Sequence, residues 1–544
     1  MTPEFTPPGP GQWALDRSHY PGGATPISQW LLREGFSNGF RRVFAEVGLP
    51  ADTIACEFVH GFMYTRLQPL IGANRKPRRP PPAAILKALT RLHPEFRARN
   101  KTAIAALRDR PSNDVLRRWE EELRPQLRQS NVDFQNFDVA AANNVELQSH
   151  ITELLEQLRS SFELHFWLHG HDLGPVARLL HTCRRWGLEP DLVVPALAGA
   201  SPTTAEPTKM LVELRGLLDA SREPIATLDE FQASSPDADA LVRSYLRERG
   251  YLLATGYDLD NRTLIEMPRV VFNSIRSASP PPRHDADGIA SELRNHLSAS
   301  RRAEFDLLLG DARNVMDMRD DNGPLTIEWP IGLLRRALLD AGRRLVERSC
   351  ITAPHHLFDL SPGEALDLFG VGLPSAAVLV ERVDKRQLQS NLEAPALLGP
   401  AERPPPLHAL PPALAELIAT VQVAQEHVGT SASIGAEKLS GIGIGDVRYV
   451  GVARVALTAD EAFDRLDPGD VLIVRATSPA FNAVLSIAGA VVTSDGGMLS
   501  HAAVLSRELG IPAIIGVPGA LLIQDGSTIE VDATAGLIRV VAPA

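Results

Sequence analysis

The hydrophobic period of this chain changes near residue 440, and no single helical bundle or all-β fold accommodates both sides of that change. Between about residues 35 and 390, apolar side chains recur mostly at helical steps. In the clearest run, roughly 145 to 169, Leu147, Ile151, Leu154, Leu155, Leu158, Phe162 and Phe166 lie three or four apart and define one buried stripe. Asn113-Asp114 is expected to cap a further helix beginning at Val115, and Tyr251–Ala254 and Val270–Phe272 read as strands. After residue 440 short apolar runs alternate with glycine-rich turns: Val447–Val455, Asp470–Val474, Ala490–Thr493, Ala513–Gly516, Thr528–Val531 and Leu537–Val541, with one helix predicted at 499–509. Between the two regimes, Pro395, Pro400, Pro404-Pro405-Pro406, Pro411 and Pro412 sit without sustained helical periodicity and mark a linker. Pro7-Pro8-Gly9-Pro10-Gly11 and Pro21-Gly22-Gly23 keep the first thirty residues out of regular elements, so they read as an extended arm.

Composition narrows the chemistry. The 544 residues are 44% hydrophobic and 22% charged, enough for several cores. Lys and Arg total 55 against 66 Asp and Glu, a net charge of −11, which argues against bulk binding to nucleic acid or an acidic membrane. The basic stretch from Arg75-Lys76-Pro77-Arg78-Arg79 to Arg128 runs against that total. It reads as a solvated helical surface or as a docking face for an acidic partner; RNA is least favoured, since no aromatics are interleaved. Cys56, Cys183 and Cys350 are too few and too scattered for a disulfide framework or a thiolate zinc site. That usage, no apolar run near the roughly 18 to 20 residues needed to span a bilayer, and a start without a signal peptide's pattern together set the expectation of a cytoplasmic protein.

The segment Thr493-Ser494-Asp495-Gly496-Gly497-Met498-Leu499-Ser500-His501-Ala502-Ala503 reads as a strand end, a glycine turn and a helix whose first turn carries a histidine. Gly496 and Gly497 let backbone approach an anion, and with Ser500 and the unpaired N–H groups of the helix start they form a phosphate cradle. A positive helix end disfavours imidazolium, so His501 is expected to stay neutral and nucleophilic. Ala502 and Ala503 leave room for close docking over it. The residues fit two descriptions, a glycine turn with an incidental histidine or a transiently phosphorylated histidine.

This segment resembles the phosphohistidine signature of the phosphoenolpyruvate-utilising enzymes: pyruvate phosphate dikinase, phosphoenolpyruvate synthase and rifamycin phosphotransferase. The resemblance extends over 440–541 through Leu439-Ser440-Gly441-Ile442-Gly443, Pro468-Gly469-Asp470-Val471-Leu472, Asp525-Gly526 and Val531-Asp532-Ala533-Thr534-Ala535-Gly536. It implies that His501 carries a phosphoryl group from a nucleotide site to an acceptor site. Leu499 stands where the dikinases have a regulatory threonine, which puts that control in doubt. The first 390 residues carry no phosphate-gripping glycine loop followed by lysine and carboxylates, so ATP and Mg²⁺ are expected on a separate ATP-grasp subunit, with no cofactor or metal bound by this chain alone.

More weakly, the N-terminal region is similar to the acceptor domain of rifamycin phosphotransferase and the carrier subunits of phenylphosphate and cresol (4-methylphenyl) phosphate synthases. The similarity rests on Pro8–Trp13 with Asp16, His19, Pro21, Thr25 and Pro26, on Leu197–Pro202, on Tyr257-Asp258, and on Arg319-Asp320-Asp321-Asn322. It implies an acceptor site drawn from His19, Asp258, Arg319, Asp320 and Asp321, with Arg319 able to clamp phosphoryl oxygens; the alternative for Arg319 is an ion pair with its neighbouring aspartates. His165 and His169 continue the Leu154–Phe162 stripe and face inward as a metal pair, as structural histidines or as acceptor-recognition groups, with Phe162, Phe166 and Trp167 as pocket lining and His60 in a lesser role.

The resulting expectation is a multidomain chain. A mainly α-helical (α+β) acceptor-binding domain with its arm covers 1–390, a proline-rich swivel linker 391–438, and a small α/β swivelling phosphohistidine domain 439–544. Its expected role is the histidine-carrier subunit of a dikinase-type phosphotransferase acting on a small aromatic alcohol such as phenol or cresol. The rivals are another hydroxyl acceptor, such as an antibiotic, and a non-catalytic phosphohistidine relay.

Overall fold

A computed structural model describes residues 3–16, 19–72, 82–222, 224–280, 285–402, 405–428, 439–477 and 481–544. The chain divides into two compact units, and the division cuts across the expected 1–390, 391–438 and 439–544 boundaries. The first unit comprises Met1–Gly174, Tyr257–Asp260 and Asp321–Val421; the second comprises Pro175–Gly256, Asn261–Asp320 and Gln422–Ala544.

The first unit holds a four-stranded antiparallel sheet in the order β2-β3-β1-β4, formed by β1 (Trp13–Leu15), β2 (Ala51–Val59), β3 (Phe62–Pro69) and β4 (Leu397–Leu398). Strand β1 corrects the reading of the arm as irregular: Trp13 buries its indole under the sheet, and two residues of backbone pairing hold it there. The β2-β3 hairpin corrects the helical reading of this stretch. His60 and Gly61 take φ of 51° and 86°, the paired positive values a two-residue hairpin turn requires.

The core of this unit is the contact between the helix Pro26–Val47 and the long helix Asn144–Arg185. A Cβ on Gly35 would lie 2.5 Å from the Phe162 Cβ, and one on Gly39 would lie 2.6 Å from the Glu163 carbonyl, so the backbones touch where only glycine fits. Leu147, Ile151, Leu154, Leu158 and Phe162 are fully buried, as the stripe requires. The long helix outruns the expected 145–169: beyond Gly174, where the chain passes into the second unit, Val176, Leu179, Leu180 and Cys183 extend the buried series. The helix Ser112–Arg118 starts at Ser112, which puts Asn113 and Asp114 inside its first turn rather than at its cap.

The four residues 257–260 are stitched into this unit at three points. Asp258 accepts from Thr25 and Ser28, the Leu259 carbonyl accepts from Arg335 at 2.7 Å, and Asp260 pairs with Arg386, which also holds Asp359 at 2.7 Å. Most of the proline-rich stretch is ordered too. Pro412 occupies the first turn of a helix, Pro412–Val428, whose Leu414 is buried against Phe96 and Ala103, so tertiary packing supplies what periodicity lacked. Residues 429–438 of the expected linker, and the basic cluster Arg75, Lys76, Arg78 and Arg79, lie outside the described residues.

The second unit holds a seven-stranded sheet in the order β11-β10-β6-β7-β8-β9-β5. Its strands are β5 (Ile442–Ile444), β6 (Arg448–Ala456), β7 (Val471–Val474), β8 (Ala490–Thr493), β9 (Ala513–Ile515), β10 (Thr528–Asp532) and β11 (Leu537–Ala542). β6, β7, β8 and β9 pair in parallel, and the outer strands pair antiparallel. Every side chain of β7 and β8 is buried, which is why these strands read as continuous apolar runs. One face of the sheet shares a core with the helices Pro202–Asp219, Leu228–Ser234, Pro236–Arg249 and Pro268–Ser277: Leu472, Val474 and Ala503 pack in one cluster with Leu214, Phe231 and Phe272.

Two strand expectations fail in this unit. Val270–Phe272 belongs to the helix Pro268–Ser277, because Val270, Val271 and Phe272 pack with Ile275 one turn on and Pro268 presets the first turn. Of Tyr251–Ala254 only Leu253 pairs, in an isolated bridge to Thr263. Among the described residues no helix is long and apolar enough to cross a membrane.

Candidate functional site

Three loops gather at the carboxyl ends of β7, β8 and β9, the place where parallel α/β sheets present ligand groups. The loop after β8 is pinned by Ser494 and Asp495, whose N–H groups donate to the carbonyls of Val474 and Arg475 at 3.0 and 2.8 Å. Gly496 then turns the chain with φ 122°, a value that favours glycine. The Gly497 carbonyl accepts the Ser500 N–H at 2.9 Å, and Ser500 caps the helix His501–Leu509, its hydroxyl accepting from Ala503 N–H at 3.4 Å. Gly510, in the left-handed region, ends this helix. The expected strand–glycine turn–helix order is present, and the Ser500 hydroxyl serves as a helix cap.

His501 is half-buried at the first position of that helix. Its Nδ1 lies 2.9 Å from the Thr477 hydroxyl and its Nε2 lies 2.8 Å from the Asn482 side-chain oxygen. Burial, and after it the nearby Arg319 guanidinium, lower its pKa to about 3. The ring is therefore neutral at physiological pH, as expected, although the causes are desolvation and a cation. Thr477 and Asn482 were not picked out from the sequence. The signal for Thr477 is its place just past the end of β7, beside the strand that leads to the histidine.

Arg319 lies on the helix Met316–Gly323 in the same unit as His501, and its Nη1 is buried without a hydrogen-bond partner among the described residues. Successive positions on a helix point about 100° apart, so Arg319, Asp320 and Asp321 splay rather than share a face. Asp321 belongs to the first unit, where Arg124 holds it at 2.6 Å; Asp320 lies half-buried in the second. The Leu197–Pro202 loop is tied to the helix His501–Leu509 by the Gly199 N–H, which donates to Glu508 at 2.9 Å.

The first unit holds the remaining candidates. The Asp258 carboxylate accepts the Thr25 N–H at 2.6 Å, the Thr25 hydroxyl at 2.5 Å, the Ser28 hydroxyl at 2.6 Å and the Leu259 N–H at 2.7 Å. With four donors upon it, this carboxylate caps the helix Pro26–Val47. Burial, then the Asp260 charge, raise its pKa to about 6. His19 Nδ1 lies 2.9 Å from Asp16, its backbone N–H donates to the same carboxylate at 3.0 Å, and its ring lies 5.3 Å from that of Tyr257. Burial works to lower the His19 pKa, but the Asp16 charge and hydrogen bond leave it raised.

His165 Nδ1 lies 3.0 Å from the Thr326 hydroxyl, and its ring stacks 5.9 Å from His169, which approaches Asp172 at 3.3 Å. Burial, then the charges of His169 and His19, lower the His165 pKa to about 3. Among the described residues no three His, Cys, Asp or Glu side chains converge to hold a metal ion. Phe162 is wholly interior, and Trp167 is buried with its N–H on Glu46 at 2.6 Å, so neither lines a pocket. The half-buried Phe36 and Phe40, absent from the sequence reading, lie against Phe166 at 4.5 and 5.8 Å instead. His60 sits in the hairpin turn with Nε2 3.0 Å from the Glu4 carbonyl.

Residues 466–536 match the family described as PEP-utilising enzyme, mobile domain. Over 97% of its length the chain is 24% identical to 14% of a chondramide synthase from Chondromyces crocatus. Over 55% of its length it is 28% identical to 36% of an uncharacterised phosphotransferase, YvkC, from Bacillus subtilis strain 168. A stretch covering 16% of the chain is 42% identical to 11% of a phosphoenolpyruvate synthase from Aeropyrum pernix. The chain thus spans between 11% and 36% of the length of these relatives. Together, the mobile domain around His501 and the phosphotransferase and synthase relatives support the PEP-utilising family.

Proposed function

We propose that this chain is a phosphohistidine-carrying phosphotransferase of the PEP-utilising type, with His501 as the carrier. The observation that supports the reading most directly is the state of His501: neutral, at the start of a capped helix, with each ring nitrogen held by one polar side chain. Thr477 is buried, whereas Asn482 is exposed at the start of a short helix. The Asn482 oxygen accepts the ring proton's hydrogen bond from Nε2, and Asn482 is the partner able to withdraw; once it does, the ring proton shifts to Nδ1, where the Thr477 hydroxyl accepts it, and Nε2 is left with the lone pair that attacks phosphorus. Arg319 offers an unpaired guanidinium N–H to the phosphoryl oxygens.

The phosphoryl donor in this reading is ATP with Mg²⁺ on a separate ATP-grasp subunit. The acceptor is the hydroxyl of a small aromatic compound bound by the N-terminal part of the chain. The test is labelling by radioactive ATP in the presence of that subunit. Acid-labile, base-stable label is expected on the wild type and none on His501→Ala; label retained in the variant overturns the carrier role.

A second reading draws on the relative that matches 97% of the chain, which is named as a synthase. In it the acceptor is a carboxyl or hydroxyl activated by phosphorylation for condensation. Product analysis across a panel of phenols and carboxylic acids, with hydroxylamine to trap an acyl phosphate, separates the two.

A further inference from the structure

In the second unit the nitrogen assigned to attack is covered, and the side chain that covers it is held by a helix far away in the sequence. An amide oxygen only accepts, so Asn482 takes the Nε2 proton of His501 in a hydrogen bond at 2.8 Å, and Nδ1 accepts from the Thr477 hydroxyl at 2.9 Å. In this tautomer Nε2 has no lone pair, and that of Nδ1 is engaged by a buried neighbour. Asn482 opens the helix Asn482–Leu485, a single turn too short to be stable alone, so what fixes Asn482 is what that turn packs on. Phe481, Val484 and Leu485 are buried in one core with Val271, Phe272 and Ile275 of the helix Pro268–Ser277, and the Ser486 hydroxyl donates to that of buried Ser274 at 3.2 Å. The same helix grips a second element. Arg269 donates to the carbonyls of Phe463 and Asp464 at 2.9 and 3.1 Å, in the last turn of the helix Ala459–Arg465, where carbonyls lack partners within the helix and favour a cation.

We propose that the helix Pro268–Ser277 is a lock on the carrier: while it holds the helix Asn482–Leu485, Asn482 stays on Nε2 and the ring is chemically silent. The inference rests on the reading of His501 as the carrier. When the Ser274, Arg269 and core contacts part, the four-residue helix loses its support and Asn482 leaves. The ring proton then resides on Nδ1 beside Thr477, and the Nε2 lone pair is exposed. His501 is thereby shielded from stray phosphoryl donors while docked and becomes a nucleophile on release. Ser274 and Arg269 are positioning residues that act on Nε2 through Asn482.

Phosphoramidate tests the lock on the full chain without the ATP-binding subunit, because the Nε2 lone pair bonds to its phosphorus as the P–N bond breaks and ammonia leaves with the electron pair. Ser274→Cys with Ser486→Cys, in a Cys350→Ser background that removes the exposed native thiol, puts two sulfurs where the hydroxyls lie 3.2 Å apart, and oxidation should fasten the lock. Labelling of His501, read by peptide mass analysis against exposed His408, is expected to be slower by about 10-fold or more in the oxidised than in the reduced protein, in proportion to the fraction of chains with a free Nε2. Adding Asn482→Ala should restore the rate with the disulfide closed, which general structural damage would not do. Arg269→Ala should speed labelling, and Arg269→Lys, which keeps a cation at the carbonyls, should return it toward the wild-type rate. Equal rates in the oxidised and reduced proteins, or no restoration by Asn482→Ala, overturns the lock and leaves the carrier reading intact. A His501 labelled by phosphoramidate in none of these proteins, and by ATP with the partner subunit in none either, overturns the carrier reading and the lock with it.

Discussion

Asp258 and Thr25 lie 233 positions apart in the chain, yet the Asp258 carboxylate accepts both the backbone N–H and the hydroxyl of Thr25, at 2.6 and 2.5 Å. A short peptide segment thus caps a helix from a distance, with the Thr25 N–H and the Thr25 and Ser28 hydroxyls pointing at an anion. Asp258→Asn turns part of that acceptor into N–H groups facing N–H and O–H groups. It should cost about 1 to 3 kcal/mol of stability, the range for a buried donor left without an acceptor, measured by denaturant unfolding.

Stability should respond to acid in a defined window. His150, with a pKa near 4, and His165 and His501, near 3, are depressed mainly by burial. A histidine whose folded pKa lies below its ordinary 6.5 binds fewer protons folded than unfolded, so stability falls as pH drops below 6.5 and goes on falling toward 3 to 4. Asp258, raised from 3.8 to about 6, runs the other way and favours the folded state as pH falls through 6. His19, raised by Asp16, acts in the same direction as Asp258, and His356, lowered mainly by burial, joins the other three histidines; four groups oppose two, so the net change from pH 7 to pH 4.5 should be a lower melting temperature. His150→Gln, remote from the proposed chemistry, should flatten that slope.

The two partners of His501 should separate in a labelling experiment. Asn482→Ala frees Nε2 and should leave the phosphorylation rate equal or faster. Thr477→Val removes the acceptor for the Nδ1 proton and should slow phosphorylation by about 10- to 100-fold, the worth of one hydrogen bond to a charged group. A slowing in Asn482→Ala with an unchanged Thr477→Val would reverse the assignment of the attacking nitrogen. In both proteins the rate should show no titration of His501 near pH 6.5, since that ring is already neutral there.

Gly39→Val should destabilise the first unit by about 1 to 3 kcal/mol or more, the cost of overpacking. A Cβ at Gly39 would lie 2.6 Å from the Glu163 carbonyl oxygen and 2.7 Å from the Phe166 Cβ, both on the long helix.

The sequence makes the second unit's central strands plain because they are buried on both faces and broken by glycine turns: β8 falls on the expected Ala490–Thr493, and β7 lies within Asp470–Val474. The histidine turn is legible for the same reason, since its glycines and capping serine act locally. What local pattern does not carry is partnership. Thr477 and Asn482 become relevant only when parallel strands align, and Asp258 only when a four-residue segment returns to the helix at Thr25. Val270–Phe272 misleads for a related reason. Three buried residues in a row resemble a strand until helices on either side bury all of them.

The core that Leu472, Val474 and Ala503 share with Leu214, Phe231 and Phe272 has a thermal consequence. Any excursion that carries His501 away from those helices must wet an apolar face, and newly wetted apolar surface raises heat capacity. Phosphoryl delivery limited by such an excursion would therefore show a positive activation heat capacity, and its Eyring plot would bend rather than run straight. A carrier already detached would give a straight line, so a set of turnover rates across temperature reports how firmly the histidine is parked between cycles.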